Sequence, residues 1–173
     1  MTKNNKQHGF SLIELLIVVA IIGIIAAIAI PSLLSSRRAA NEGYALATLR
    51  NIHSGEAAYQ ATTGGNDFGT MAQLGTTRIV DSLVASGGKS GYAFEIGEIV
   101  LYVPAGAGAQ LAEFRASGMP LVTTGVGQTG TRRFGVVDSG QLAADKSPGP
   151  LGTQLNKLEI RGAQRGSPVY PVE

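Results

Sequence analysis

From Phe10 to Ile30 the chain is apolar on every face of a would-be helix, and only Ser11, Glu14 and Gly23 break the aliphatic pattern. These 21 residues cover about 31 Å at the helical rise, the thickness of a bilayer's hydrocarbon core. An all-round pattern of this kind predicts a helix that meets lipid or protein on every side. Fourteen of the residues are large aliphatics or Phe, and holding them in water would cost on the order of 20 to 40 kcal/mol at roughly 1.5 to 3 each. A freely soluble monomer is excluded. Two surroundings qualify: a bilayer, or other copies of the same chain.

After Pro31 the pattern turns polar while staying helix-compatible. Ala45, Leu49, Ile52 and Tyr59 recur at helical spacing among Arg37, Arg38, Glu42, Arg50 and Glu56, which predicts one helix continuing to about Ala61. Thr62-Thr63-Gly64-Gly65 supplies the stop. Pro31 removes one helical hydrogen bond and is expected to kink the helix, with Gly23 and Gly43 weakening it further. Beyond it, Thr70 to Leu74 and Ile79 to Ala85 read as short helices in a connecting loop. Tyr92 to Ile96, Ile99 to Val103, Glu113 to Ser117 and Arg133 to Val137 read as strands. Asp138-Ser139-Gly140 is a turn signal that pairs Phe134–Val137 with Gln141–Ala143 as a hairpin. The expectation is an antiparallel sheet of three to five strands, followed from Asp145 to Glu173 by an irregular tail rich in proline, glycine and charge.

One stretch resembles a known family. The lysine-containing leader Met1 to Gly9, then Phe10-Ser11-Leu12-Ile13-Glu14-Leu15 and the aliphatic run look like the precursor of a type IV pilin or pseudopilin. The resemblance covers residues 1 to about 31 strictly, and the rest of the chain only in architecture. It implies an α+β fold in which a long N-terminal helix packs on a small antiparallel sheet. It divides the chain into a leader (1–9), a stem helix (10–62, with 10–30 in the membrane or the filament core), a globular head (63–144) and a tail (145–173). It further implies cleavage between Gly9 and Phe10 by a membrane-embedded prepilin peptidase, with methylation of the new Phe10 amine. Glu14 would pair with that amine on a neighbouring subunit during assembly, while Gly23 and Pro31 match the helix-loosening residues of a pilin stem. The implied partners are membrane lipid before assembly, an inner-membrane assembly platform with its ATPase, and further copies of the chain in a helical filament.

The residues alone also mark Glu14, because an ionisable group at the margin of an apolar span signals function. Lys3 and Lys6 before the span nearly balance Arg37 and Arg38 after it, so charge counting leaves the orientation open. The resemblance puts the leader in the cytoplasm and the head outside. The formal charge of +2 belongs to the precursor: losing the two leader lysines from 14 basic residues leaves 12 against 12 acidic ones. A broad electrostatic footprint for nucleic acid is therefore missing. With no cysteine, the disulfide common in pilins is replaced by packing or by a bound ion.

Other candidate chemistry is weak. Gly125-Val126-Gly127-Gln128-Thr129-Gly130 spells a dinucleotide motif, but a strand-like run follows it where a helix is needed. His53, the one histidine beyond the leader, is expected on the stem facing solvent. Asp138 and Asp145 are oxygen donors without calcium-specific spacing, so calcium is conceivable but not indicated, and no cofactor is expected. Arg132 and Arg133 read as surface charges, and Tyr44 and Tyr59 as core. An enzyme is not expected. The resemblance, with no obvious acidic calcium loop in the sequence, favours a structural subunit, the major pilin, of a bacterial type IV pilus; the alternatives that share the N-terminal signal are a pseudopilin of a type II secretion system and a minor pilin serving as a membrane-tethered binding module.

Overall fold

The computed structural model describes residues 10–101, 103–104, 110–146, 155–163 and 168–172. The chain divides into two compact units between Ser36 and Arg37. One helix, α1 (Leu12–Thr62), carries Pro31 inside it and belongs to the first unit up to Ser36 and to the second from Arg37. In the first unit the large aliphatics of α1 are exposed. In the second, Ala45, Leu49, Ile52 and Tyr59 are buried in a common core with sheet residues Tyr92, Phe94, Phe114, Ala116, Phe134 and Val136. The helical spacing read from the sequence is the stripe that packs.

α1 ends where the glycines predict. The Thr63 and Gly64 amides both donate to the Tyr59 carbonyl, at 2.9 and 2.8 Å. Gly65 takes a φ of +61°, a conformation that costs glycine little. Two short helices follow, α2 (Met71–Thr76) and α3 (Ser82–Ala85). Thr70 and Gln73 form a reciprocal capping box on α2, and the Asp81 side chain caps α3. Ile79 and Val80 precede α3 because their amides are drawn to the Leu74 carbonyl that closes α2.

Among the described residues six strands form one antiparallel sheet whose spatial order is the chain order: β1 (Gly88–Lys89), β2 (Tyr92–Val100), β3 (Glu113–Pro120), β4 (Arg133–Val137), β5 (Leu142–Asp145) and β6 (Val169–Pro171). The sheet is thus larger than the three to five strands expected. The two runs Tyr92–Ile96 and Ile99–Val103 do not form separate strands. They merge through Val100 into β2 across an irregularity between Gly97 and Val100, where Glu98 adopts a φ of +53°. The predicted hairpin at Asp138–Gly140 joins β4 to β5, with the Gly140 amide bonded to the Val137 carbonyl at 2.8 Å.

The expected irregular tail is corrected in its described parts. Asp145 closes β5, a helical turn α4 (Lys157–Arg161) follows, and β6 adds the last strand. Leu155 and Ile160 are fully buried on the sheet face opposite α1, with Val137 and Ala143. Gly135 makes this possible, because a Cβ there would collide with Ile160. Prolines and glycines dominate the segment's composition and conceal two apolar anchors spaced five residues apart.

Candidate functional site

The start of α1 is built by its own first turn. The Ser11 amide donates to Glu14 Oε2 at 2.9 Å, and the Leu15 amide to the Ser11 carbonyl at 3.2 Å. Ser11-x-x-Glu14 therefore behaves as a capping box on the Glu side, with the carboxylate satisfying an amide that a helix start would otherwise leave without a partner. The Ser-x-x-Glu spelling is present in the sequence, where the standing of Glu14 as the one charge of the apolar run masks it. Phe10 is exposed beside it. Gly9 and the rest of the leader, with the cleavage position they imply, lie outside the described residues.

Along the rest of the apolar run no large side chain is covered. A Cβ at Gly23 would meet nothing within 4 Å, so no contact within the described chain requires its small size. Pro31 lies within α1, and its missing N–H leaves the Ala27 carbonyl without its helical donor. Glu14, Gly23 and Pro31 share one exposed helix segment that carries no second charge before Arg37. Such a surface can enter lipid or pack on other helices. It offers no arrangement of groups for covalent chemistry.

A second constellation holds the loop between β3 and β4 against the first turns of α1 in the second unit. Glu42 is nearly buried and accepts from the Thr131 amide and hydroxyl, both at 2.7 Å, and from Arg132 Nε at 2.7 Å and Nη2 at 2.6 Å. Burial opposes its ionisation, but the hydrogen bonds from Thr131 and the Arg132 guanidinium outweigh it and hold the carboxyl below its usual range. Arg132 also reaches Tyr170 Oη at 3.2 Å, and Tyr92 Oη donates to the Arg132 carbonyl at 2.8 Å. Arg133 binds the buried Asp145, with Nε to Oδ2 at 2.8 Å. The reading of both arginines as surface charges is thus corrected: their carboxylate partners are distant in sequence or appear only once the hairpin closes.

Three further residues depart from expectation or escaped notice. Glu56 is fully buried; Oε2 accepts the Gly69 amide at 2.8 Å, and Oε1 has no hydrogen-bond partner. Burial pushes its carboxyl up to about 7, only partly offset by that one bond. Tyr59 is core as predicted, but Tyr44 is exposed, because the buried stripe of α1 passes through Ala45 instead. His53 is half-buried instead of solvated, with Nε2 at 3.2 Å from the Asp138 carbonyl and its ring beside Phe114.

The two aspartates weighed as calcium donors are both engaged by arginines, Asp138 with Arg161 at 2.9 Å and Asp145 with Arg133. Among the described residues no group of three His, Cys, Asp or Glu side chains converges. The Gly125–Gly130 motif lies in the β3–β4 loop and runs into a strand, so its amides are not presented at a helix start. Gln128 and Thr129 within it are bound to Arg38 and Asn41 of α1, at 2.9 Å each.

Residues 4–30 match the family described as the prokaryotic N-terminal methylation motif. Over 55 residues the chain is 50% identical to the type IV wide pilus major component PilA4 of Thermus thermophilus, a match covering 32% of this chain and 42% of that protein. Over 56 residues it is 41% identical to the type IV major pilin protein PilA of Myxococcus xanthus, covering 32% of this chain and 26% of that one. The chain thus spans less than half the length of these curated relatives. No solved structure matches it.

Proposed function

We propose that this chain, which carries the prokaryotic N-terminal methylation motif and whose matched third is similar to major type IV pilins, is a structural subunit of a type IV pilus. The observation that carries the reading is the fully exposed apolar length of α1, headed by Phe10 and Glu14. Surface of that extent needs a bilayer before assembly and like helices afterwards. Cleavage between Gly9 and Phe10 by a prepilin peptidase frees the Phe10 amine for methylation. Glu14 then exchanges its Ser11 amide partner for that amine on a neighbouring subunit, so that charge pairing in a low-dielectric core selects axial register. Gly23 and Pro31 let the helix adjust as an ATP-driven inner-membrane machine draws the subunit into the filament.

Mass spectrometry of sheared surface filaments tests this reading. The expected result is an abundant chain that begins at Phe10 and carries one methyl group. A processed chain found only in the cell envelope would point instead to a pseudopilin of a secretion system, and a scarce chain in abundant filaments to a minor pilin. An uncut Met1 terminus in the filament would overturn the assignment.

A further inference from the structure

The β3–β4 loop exposes Leu121, Val122 and Val126 at 60%, 43% and 78% of their surface. These side chains cannot fold away, because the loop is fixed at both ends and across its middle. Within it, the Thr129 amide bonds the Val122 carbonyl at 2.9 Å, the Val122 amide bonds Thr129 Oγ1 at 3.1 Å, and Gln128 Nε2 bonds the Thr123 carbonyl at 3.0 Å. Outside it, Arg38, Asn41 and Glu42 on one face of α1 hold Gln128, Thr129, Thr131 and Arg132. The loop is therefore a rigid apolar projection tied to the stretch of α1 that begins the second unit at Arg37, immediately after the apolar unit ends in sequence.

Charge selects what meets it. The sequence has no acidic residue from Leu15 to Asn41 or from Phe114 to Val137, and Glu42 is neutralised by Arg132. Arg37 is exposed. In a second copy of this chain Asp81, Glu95, Glu98, Glu113 and Asp138 each already face a lysine or arginine of their own chain, and Glu14 lies at the other end of the apolar run in sequence. Lipid phosphates match that cation, and aliphatic side chains on a loop that its chain neighbour Arg38 holds at Gln128 suit the boundary between headgroups and acyl chains. We infer that the Leu121–Val126 segment and Arg37 form a membrane-contacting surface, through which the unassembled subunit's second unit rests on an anionic leaflet. This rests on the apolar run being held in that bilayer.

The absence of cysteine allows a direct test with single nitroxide labels on the full chain, reconstituted in vesicles of phosphatidylglycerol and phosphatidylethanolamine. Val126→Cys and Leu111→Cys make a matched pair, both aliphatic and both 78% exposed. Leu111 lines a groove with Gln60 and Ala61, about 33 Å along α1 from Arg38 at the helical rise. Ile22→Cys reports the apolar run itself. The expected result is that the labels on Val126→Cys and Ile22→Cys collide preferentially with dissolved oxygen, and the label on Leu111→Cys with an aqueous nickel chelate. Adding Arg37→Gln, or using phosphatidylcholine alone, should move the Val126→Cys label toward water. Equal nickel accessibility at Val126→Cys and Leu111→Cys, with Ile22→Cys in lipid, would overturn the inference and leave the pilus reading standing. Shielding that vanishes on dilution of protein in lipid would assign the surface to a second copy and also overturn it. A water-exposed Ile22→Cys label would overturn both readings.

Discussion

Glu42 and Glu56 lie on the same helix and respond to pH in opposite senses. Glu42 is held below its usual range, so it adds stability above the unfolded carboxyl's range and loses it as the medium becomes acidic enough to protonate the folded form. Glu56 is raised from 4.5 to about 7, so the folded chain keeps a proton that the unfolded chain releases. Its contribution therefore declines as pH rises from about 4.5 to about 7. A shift of that size corresponds to roughly 3 kcal/mol. Glu56→Gln is expected to flatten the fall in stability over that window and to raise stability at mildly alkaline pH, as measured by urea unfolding in detergent. An unchanged pH slope would show that Glu56 is not the group responsible. Neither carboxylate's environment was legible beforehand. Glu42 meets its partners about ninety positions away, and Glu56 is enclosed by a loop whose amide no residue pattern announces.

At the level of elements, α1 supplies much of the buried surface on which β2, β3 and β4 pack. Phe114, Phe134 and Tyr92 have Leu49, Ile52 and Ala45 in the same core. A chain beginning at Gly64 would expose those aromatics and is expected to lose cooperative melting, as followed by circular dichroism; a sharp transition would show that the sheet sustains its own core. The helix, its apolar stripe, both short helices and the β4–β5 hairpin were readable because each repeats a local period or carries its own cap or turn. The C-terminal strand and turn were not, because their anchors, Leu155, Ile160 and the three residues of β6, are too few and too scattered to form a period. The outer sheet face, opened by Gly135, receives Leu155, Ile160 and Val169, while Tyr170 of β6 packs on the α1 side.

At the scale of the molecule, the division at Arg37 separates surface that needs a nonaqueous partner from a unit with its own core. A chain beginning at Arg37 keeps every buried residue of α1 and is expected to be monomeric in water and to melt cooperatively. The full chain should need detergent or lipid, and sedimentation of both in detergent-free buffer checks the contrast. The exposed apolar run was legible because its aliphatics follow one another in series, whereas the loop around Val126 gave no signal until folding tied its Gln128 to Arg38. Strand order has a further consequence. Since each strand of the sheet pairs only with its predecessor and successor, a chain made from the N-terminus onward never waits for a later strand to be inserted between two earlier ones. Each new hairpin can dock on an edge already formed, with the helix in place as a template before the first strand arrives. Growth by addition to one moving edge suits a unit that completes itself on a helix already made, with Leu155, Ile160 and β6 joining only after the rest is in register.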